Sequence, residues 1–426
     1  MIRICKANEL SKSEIFSRTS PLSSVEEPVR AIISEVRARG DEALFAYTAR
    51  FDGAVLSSLA VSKEELDAAE KEVGEDFLCI LKEAASRIRR FHEKQARAGF
   101  MINDEEGVIM GQKVVPLEKV GLYVPGGTAA YPSTVLMDAI PAKIAGCPHV
   151  VMVTPPRKDG SVSPAILAAA KVAGVDVIFK IGGAQAIAAL AYGTGSVPAV
   201  DKIVGPGNAY VAEAKKQVSG TVGIDMIAGP SEILIVSDGS GDPKVLAADL
   251  LSQAEHDRNA SAVLVTTDEA LARRTSEELE KQIPLLARAK IARASIDNNG
   301  KIIVTGSVDE AIGISNELAP EHLELCLDMP FDYLDRVKNA GSVFLGKNCP
   351  EALGDYMAGP NHTLPTGGTA RFCSPLSVDD FVKKMQYTYF TGQALARLAP
   401  DVAAFARREG LTGHARSALI RTEENE

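Results

Sequence analysis

The chain has 426 residues, a net charge of −10 and 46% hydrophobic residues, which is the composition of an ordinary globular protein. Because it is acidic and has no block of Lys or Arg, a nucleic-acid or anionic-membrane partner is excluded from the expected functions. No apolar run approaches the ~20 residues of a membrane span, and the N-terminus lacks the apolar core of a secretory signal.

The first hundred residues have the pattern of a helical region. Pro28 suits the first position of a helix that runs to residue 40. Ser62 and Glu65 form a capping-box pattern ahead of a long charged stretch, which Gly74 interrupts and which runs to about Arg97. We expect a helical scaffold that carries no chemistry.

Strand and helix patterns alternate from about residue 108 to residue 346, which predicts parallel sheets with right-handed crossovers. This many elements exceeds one small sheet, so two Rossmann-like domains are expected, with a break near Gly229–Pro230. The predicted strands are 107–125 (short strands with a turn), 149–156, 175–183, 201–207, 231–238, 261–267, 301–306, 322–327 and 342–346. The predicted helices are 163–174, 184–195, 208–220, 242–256, 268–283, 308–319 and 331–341.

The chain beyond about residue 375 again has a helical pattern, without a strand pattern and with few apolar runs. Such a segment does not make its own core, so we expect it to pack on another surface, such as a second subunit. The predicted fold is thus α/β, with two Rossmann-like (incomplete, doubly wound) domains, mostly parallel sheets and helical extensions at both ends. The expected ranges are 1–22 for the N-terminal extension, 23–122 with 232–376 for the first domain, 123–231 for the second and 377–426 for the tail.

Scarce residue types are unevenly distributed along the sequence. The six cysteines are scattered without a C-x-x-C pair, which predicts reduced thiols and a cytoplasmic protein. Of the six histidines, His92 and His149 are expected to be structural. The other four lie beyond residue 250, at His256, His322, His362 and His414.

Polar residues with catalytic chemistry accompany these four histidines. Gln253 and His256 are spaced i,i+3 at the end of a predicted helix, where a polar pair without function is also common. Glu321 and His322 precede an apolar strand pattern and could form a general acid/base pair or simply a polar strand edge. Asp355 and His362 lie in a loop rich in Gly and Pro.

The last histidine, His414, follows Glu409 in the tail, and a surface histidine is the alternative there. Gln, His and Asp side chains offer nitrogen and oxygen donors that suit a divalent metal such as zinc. Their spacing matches no compact zinc motif.

The dinucleotide fingerprint G-x-G-x-x-G is absent, because Tyr210 replaces the third glycine after Gly205 and Gly207. If NAD binds, it binds in a non-standard way.

Seven motifs, in order and over nearly the whole chain, resemble those of the histidinol dehydrogenase family. They are GLYVPGGTAAYPSTVLM, GGAQAIAALAYGTGSVPAVDKIVGPGNAYVAEAK, IDMIAGPSEILIV, DLLSQAEHD, ELAPEHLEL, GDYMAGPNHTLPTGGTARF and EGLTGHARS. The resemblance implies oxidation of L-histidinol through L-histidinal to L-histidine with reduction of two NAD⁺. It also implies a zinc-dependent homodimer whose sites are completed by the partner's tail.

Site residues follow from the resemblance, position by position. It implies Glu321 and His322 as the catalytic pair. The implied zinc ligands are Gln253, His256, Asp355 and His414. The implied substrate contacts are Ser231, Gln253, His256, His322, Asp355, His362, Glu409 and His414, and the implied NAD contacts are Tyr123, Gln185 and Asn208.

Two alternatives stay open at this point. One is a related zinc/NAD dehydrogenase that acts on another small alcohol, such as a hydroxylated sulfonate, against which Ser231 and Glu409 argue. The other is a zinc hydrolase in which Glu321 activates water without NAD, and its support is the missing dinucleotide fingerprint.

Overall fold

A computed structural model describes residues 2–9, 15, 25–126 and 130–423. By compactness the chain divides into two units, one of Met1–Gln95 with Leu117–Phe381 and one of Ala96–Pro116 with Val382–Glu426. Within the described ranges, no helix combines the length and apolar character that crossing a bilayer requires.

The described chain has fourteen strands and fifteen α-helices. The strands are β1 (Arg3–Lys6), β2 (Phe100–Ile102), β3 (Val108–Pro116), β4 (Lys119–Tyr123), β5 (His149–Val153), β6 (Val177–Phe179), β7 (Lys202–Val204), β8 (Gly223–Ile224), β9 (Glu232–Ser237), β10 (Ser261–Thr266), β11 (Lys301–Val304), β12 (His322–Cys326), β13 (Ser342–Leu345) and β14 (Val382–Phe390). The helices are α1 (Glu26–Arg39), α2 (Asp41–Phe51), α3 (Lys63–His92), α4 (Pro132–Ala145), α5 (Pro164–Ala173), α6 (Gly183–Tyr192), α7 (Ala209–Val218), α8 (Pro243–Ala254), α9 (Glu269–Gln282), α10 (Ala289–Asn299), α11 (Val308–Leu318), α12 (Phe331–Leu334), α13 (Glu351–Tyr356), α14 (Gly392–Arg408) and α15 (Thr412–Leu419).

The first unit contains a six-stranded parallel sheet in the order β1-β11-β10-β9-β12-β13. Its central strands β9 and β12 are buried at every residue, as expected when helices cover both faces of a parallel sheet. Helix α8 packs on β9 and β10 and returns the chain to the amino edge of this sheet. That edge is where the polar residues of the site gather.

A second parallel sheet in the same unit has five strands in the order β6-β5-β4-β7-β8. Numbered along the chain this order is 3-2-1-4-5, the arrangement of a Rossmann fold. The strand order reverses between β4 and β7, and ligands of such folds bind in the crevice at the carboxyl ends of those strands. The predicted α/β class with mostly parallel sheets is confirmed.

Local sequence signals fix the helix limits of the first unit. Ser62 and Glu65 form the predicted capping box at the start of α3, and Gly74 leaves the helical conformation with φ 77°. A positive φ is accessible to glycine without a steric cost, which explains why the interruption falls there. Every predicted strand and helix from residue 149 to residue 346 is present, although α12 is limited to four residues.

Two predictions about the ends of the chain are wrong. Residues 3–6 form β1, an edge strand paired with β11, rather than part of a helical extension; the rest of that predicted extension, apart from residues 7–9 and 15, lies outside the described residues. The tail contains β14, which pairs with β3 over nine residues. Its sequence, VKKMQYTYF, is rich in strand-forming residues but has no buried face to produce a hydrophobic alternation.

The second unit combines the antiparallel sheet β14-β3-β2 with helices α14 and α15. Its buried apolar cluster consists of only three alanines, Ala403, Ala406 and Ala415. Large apolar side chains such as Phe100, Met385 and Phe405 are exposed. The expectation that the tail does not build its own core fits this composition. The predicted domain boundaries stay a prediction, because both parallel sheets lie in one compact unit. Strand β4, most of which was expected in the first domain, belongs to the five-stranded sheet.

Candidate active site

The predicted catalytic pair lies at the amino edge of the six-stranded sheet. His322 is the first residue of β12, Glu321 precedes it, and β9 runs alongside from Glu232. Both side chains form hydrogen bonds with the backbone of Glu232, Glu321 with its N–H and His322 with its carbonyl oxygen. The site thus lies at the edge opposite to the carboxyl ends that ligands usually occupy in open α/β sheets.

The His322 ring has a defined tautomer. Its Nδ1 lies 3.0 Å from the carbonyl oxygen of Glu232, which can only accept a hydrogen bond, so Nδ1 carries the proton. Burial lowers the pKa of His322 to about 4. The ring is therefore neutral near pH 7, and Nε2 keeps a lone pair that can accept a proton.

Glu321 is held by the same strand. Its Oε2 accepts a hydrogen bond from the backbone N–H of Glu232 at 2.8 Å and lies 3.6 Å from Nδ1 of His322. Burial raises the pKa of Glu321 well above its ordinary value, and the neighbouring carboxylates raise it further. A carboxylate with a raised pKa is a stronger base once ionised, which suits the activation of water.

Helix α13 presents two carboxylates to His322. Glu351 and Asp355 are spaced i,i+4, so they share one face of the helix. One ligand atom from each of His322, Glu351 and Asp355 lies within 4.8 Å of the others, as in a metal-binding group. Glu351 was missed by the sequence reasoning, although its spacing to Asp355 was a signal that could have revealed it.

His362 connects Asp355 to the five-stranded sheet region. Its Nδ1 lies 3.3 Å from Oδ1 of Asp355, and its Nε2 lies 3.3 Å from Oγ1 of Thr134 on α4. Burial alone would raise the pKa of Asp355, but the hydrogen bond and charge of His362 outweigh it and lower the pKa to about 2. Asp355 is therefore ionised and oriented.

Gln253 and His256 approach the same carboxylates. Helix α8 ends at Ala254, so His256 follows the helix instead of lying on it as predicted. Burial lowers the pKa of His256, and the charge of Asp355 opposes that effect. The side chain of Gln253 lies against Glu351. The structure thus brings together Gln253, His256, Glu321, His322, Asp355 and His362, and adds Glu351.

Two oxygens in this cluster fit a metal ion. Oε1 of Gln253 and Oε1 of Glu351 are buried and have no hydrogen-bond partner among the described residues. Leaving such atoms unpaired costs roughly 1–3 kcal/mol each. A divalent metal held by oxygen and imidazole donors would satisfy them, so the residues present fit such an ion.

The remaining predicted substrate residues lie elsewhere in the chain. Ser231 directly precedes β9, is half-buried, and its carbonyl accepts a hydrogen bond from the backbone N–H of Ser261. Glu409 follows α14 and His414 lies on α15, and both are exposed residues of the second unit.

The three predicted NAD residues all line one cavity of about 1070 Å³. Tyr123 ends β4, and its hydroxyl oxygen accepts a hydrogen bond from the Gly183 N–H at 3.1 Å. Asn208 caps α7 through its side chain. Gln185 is buried, and its Oε1 has no hydrogen-bond partner in the described part of the chain. The volume reaches the upper end of the usual range for small-molecule sites.

A glycine permits close packing beneath this cavity. Gly205 has φ 112°, and a Cβ there would lie 2.2 Å from the carbonyl oxygen of Tyr123. Only glycine is compatible with both the conformation and the approach. The turn that leads to Asn208 is therefore fixed by Gly205.

Comparisons with known proteins decide the family. The family model described as histidinol dehydrogenase matches residues 17–422. The chain belongs to the histidinol dehydrogenase family. It is 56% identical over 400 residues to histidinol dehydrogenase from Geobacter sulfurreducens, with 93% of each chain covered. It is 53% identical over 426 residues to the enzyme of that name from Clostridium acetobutylicum, with 99% of each covered.

A solved structure agrees with this membership. The crystal structure of histidinol dehydrogenase from Elizabethkingia anophelis matches with a TM-score of 0.93 and 38% identity, and 99% of this chain and 98% of that chain are covered. This member of the histidinol dehydrogenase family is an NAD-dependent oxidoreductase. The histidinol dehydrogenase family also implies a metal, for which the His322, Glu351 and Asp355 group is a possible site.

Proposed function

We propose that this protein oxidises L-histidinol to L-histidinal and then to L-histidine, with reduction of two NAD⁺ and with zinc as its metal. The observation that carries the proposal is the buried, neutral His322, whose Nε2 is available beside Glu351 and Asp355. A neutral imidazole with a free ring nitrogen is the group that an alcohol oxidation needs for proton removal.

Zinc would be held by Gln253, His256, Asp355 and His414 of the partner subunit. When bound, it supplies Lewis-acid polarisation and fixes the position of the substrate. The unpaired Oε1 of Gln253 and the ionised Asp355 support this ligand set. His362 orients Asp355 through their contact at 3.3 Å, as outer partners of metal ligands commonly do.

The proton and water chemistry is assigned to the catalytic pair. His322 would accept the hydroxyl proton at Nε2 while Nδ1–H keeps its bond to the Glu232 carbonyl. Glu321 would take a proton from the water that adds to the aldehyde. The overall reaction consumes one alcohol, one water and two NAD⁺, and it yields one carboxylate, two NADH and three protons.

Substrate and cofactor positions follow the same proposal. Ser231, Gln253, His256, His322, Asp355, His362, Glu409 and His414 would contact the substrate. Tyr123, Gln185 and Asn208 would contact NAD⁺, which accepts the hydride. The three residues line one cavity, and the unpaired amide oxygen of Gln185 offers a hydrogen-bond acceptor there.

A homodimer with shared sites completes the proposal. Glu409 and His414 are exposed on a unit with almost no core of its own. The exposed apolar residues of that unit are typical of a surface that a second copy covers.

The decisive experiment is a stoichiometric assay with zinc and NAD⁺. We expect two NADH per L-histidinol consumed and L-histidine as the product. A ratio of one would indicate an ordinary alcohol dehydrogenase. Faster turnover of another alcohol in a substrate panel, such as a hydroxylated sulfonate, would contradict the assigned substrate.

A further inference from the structure

The 1070 Å³ cavity is lined by two different parts of the first unit. One part carries Tyr123, Gln185 and Asn208 from the five-stranded sheet. The other is the last turn of α2, which contributes Tyr47 and Phe51 with stacked rings whose centroids are 5.3 Å apart. The cavity thus combines hydrogen-bonding groups with the exposed ring of Phe51, which the buried Tyr47 backs, as a nucleotide site does.

Among the described residues, no acid of the loop after β5 lines the cavity, where NAD-binding Rossmann folds place one; Asp159 of this loop accepts hydrogen bonds from Ser161 instead. In such folds an Asp or Glu near the end of the second strand binds the adenosine ribose hydroxyls, whereas an Arg accommodates the 2′-phosphate of NADP. Here β5 is the second strand of the sheet. The residues that follow it and line the cavity include Arg157 and Lys158 but no acid. By this comparison alone the cavity would favour NADP.

An acid reaches this loop from outside the sheet. Asp52 directly follows α2 and lines the same cavity. The adjacent Gly53 packs toward the loop, since a Cβ placed there would lie 3.7 Å from Cγ of Lys158. Asp52 is therefore next to the place where a Rossmann fold carries its ribose-binding acid.

One oxygen of the Asp52 carboxylate has no partner in the part of the chain that the structure describes. Its Oδ2 is buried without a hydrogen-bond partner within the described residues. Burial raises its pKa to about 6, so the group is still ionised at pH 8. A buried carboxylate oxygen without a donor is costly unless a ligand supplies one.

We propose that Asp52 makes this cavity select NAD⁺ over NADP⁺, by accepting hydrogen bonds from the adenosine ribose hydroxyls and by repelling a 2′-phosphate. The proposal rests on the proposed function only in that the cavity binds the dinucleotide. Arg157 and Lys158 remain available for the pyrophosphate. Once Asp52 is neutralised, the same two cations would attract a 2′-phosphate.

The test measures binding of ADP-ribose and of 2′-phospho-ADP-ribose by calorimetry at pH 8. Wild-type protein should bind ADP-ribose at least about tenfold more tightly than 2′-phospho-ADP-ribose, because a hydrogen bond to a charged group contributes about that factor or more to binding. In Asp52→Asn this preference should fall by about tenfold or more. Asp52→Asn should also bind 2′-phospho-ADP-ribose more tightly than wild type does. Combining Asp52→Asn with Arg157→Gln and Lys158→Gln should remove this gain in affinity.

Two further variants keep the test decisive. Glu42→Gln removes a carboxylate from the first turn of the same helix, outside the cavity lining, and should leave the preference unchanged. Asp52→Ser should reproduce the effect of Asp52→Asn, so a folding defect in one variant does not decide the result. An unchanged preference in both Asp52 variants, or an equal change in Glu42→Gln, would overturn the proposal.

The same measurements separate this inference from the proposed function. If L-histidinol yields NADH but both Asp52 variants keep the wild-type preference, the inference alone fails. If ADP-ribose binds with an Asp52-dependent preference while no histidinol is oxidised, the inference stands and the proposed function fails.

Discussion

The Nδ1 atom of His322 lies 3.0 Å from the carbonyl oxygen of Glu232, although the two residues are 90 positions apart in sequence. The same residue's N–H binds Glu321 at 2.8 Å. The backbone N–H and C=O of one residue on β9 thus fix both members of the proposed catalytic pair. The parallel pairing of β9 with β12 creates this arrangement.

Replacing His322 with Gln should abolish most of the activity. The variant loses the neutral ring nitrogen that accepts the substrate proton, and such general-base losses typically cost 10²–10⁴-fold in kcat, as an order of magnitude. ADP-ribose binding should be unchanged, because that cavity is lined by other residues. The control is His149→Gln, an exposed histidine that starts β5 and should retain full activity. Activity of His322→Gln within twofold of wild type would refute the assigned role.

The Glu351→Gln variant should bind metal more weakly. Glu351 lies 3.9 Å from Nε2 of His322 and contacts Gln253, so the variant removes a charge from the metal-binding group. We expect a roughly 10–100-fold loss of metal affinity, as for other residues that support metal ligands. Metal content after dialysis against graded chelator measures this. An unchanged metal content in Glu351→Gln would show that Glu351 does not support the site.

For wild-type protein, chelation should stop NADH formation and added zinc should restore it.

Sharing of sites between subunits predicts complementation. Chains with His414→Ala lack the proposed tail ligand, and chains with Glu321→Ala lack a catalytic residue. A heterodimer of the two has one site with neither defect if the tail serves the partner. Mixed dimers, purified with two affinity tags, should regain up to about half of the activity of a wild-type dimer, because one of their two sites is intact. Complete inactivity of verified heterodimers would exclude shared sites.

The buried Asp138 on α4 should make stability depend on pH. Burial raises its pKa to about 7, and one of its oxygens has no hydrogen-bond partner in the described chain. A raised pKa in the folded state means that the stabilising protonated form is lost as pH rises from about 4 to about 7. Wild type should therefore lose stability relative to Asp138→Asn over this range, by at most about 1.4 kcal/mol per pH unit.

Urea unfolding at fixed metal and protein concentrations measures this difference. The control is Asp159→Asn. Hydrogen bonds from Ser161 lower the pKa of Asp159, so its contribution changes only below about pH 4. A difference between wild type and Asp138→Asn that is constant from pH 4 to pH 7 would contradict the assignment.

The capping box of α3 gives a prediction about stability alone. Ser62→Ala removes the hydrogen bond from the Glu65 N–H to the Ser62 side chain, which should cost about 1 kcal/mol of unfolding free energy. Ser163 also precedes a helix but makes no capping hydrogen bond, so Ser163→Ala should cost much less. Urea midpoints compare the two. Equal losses of unfolding free energy in the two variants would show that the cap at Ser62 does not contribute to stability. The kcat of Ser62→Ala should match that of wild type.

The sequence by itself determined the alternating elements, the capping box and the family. These depend on local patterns and on ordered motifs, such as APEHLEL around Glu321 and His322. The expected zinc ligands and NAD contacts also came from motif positions, and the structure groups Gln253, His256 and Asp355 with the catalytic pair.

Only the tertiary structure decided which distant groups meet. Glu351 joins the site because α13 places it beside His322, and Asp52 reaches the cavity proposed for NAD⁺ because α2 packs near the loop after β5. The strand β14 was hidden because it has no buried face, so its pairing with β3 left no alternation to detect. Contacts of this kind depend on long-range packing and backbone pairing, which local sequence patterns do not encode.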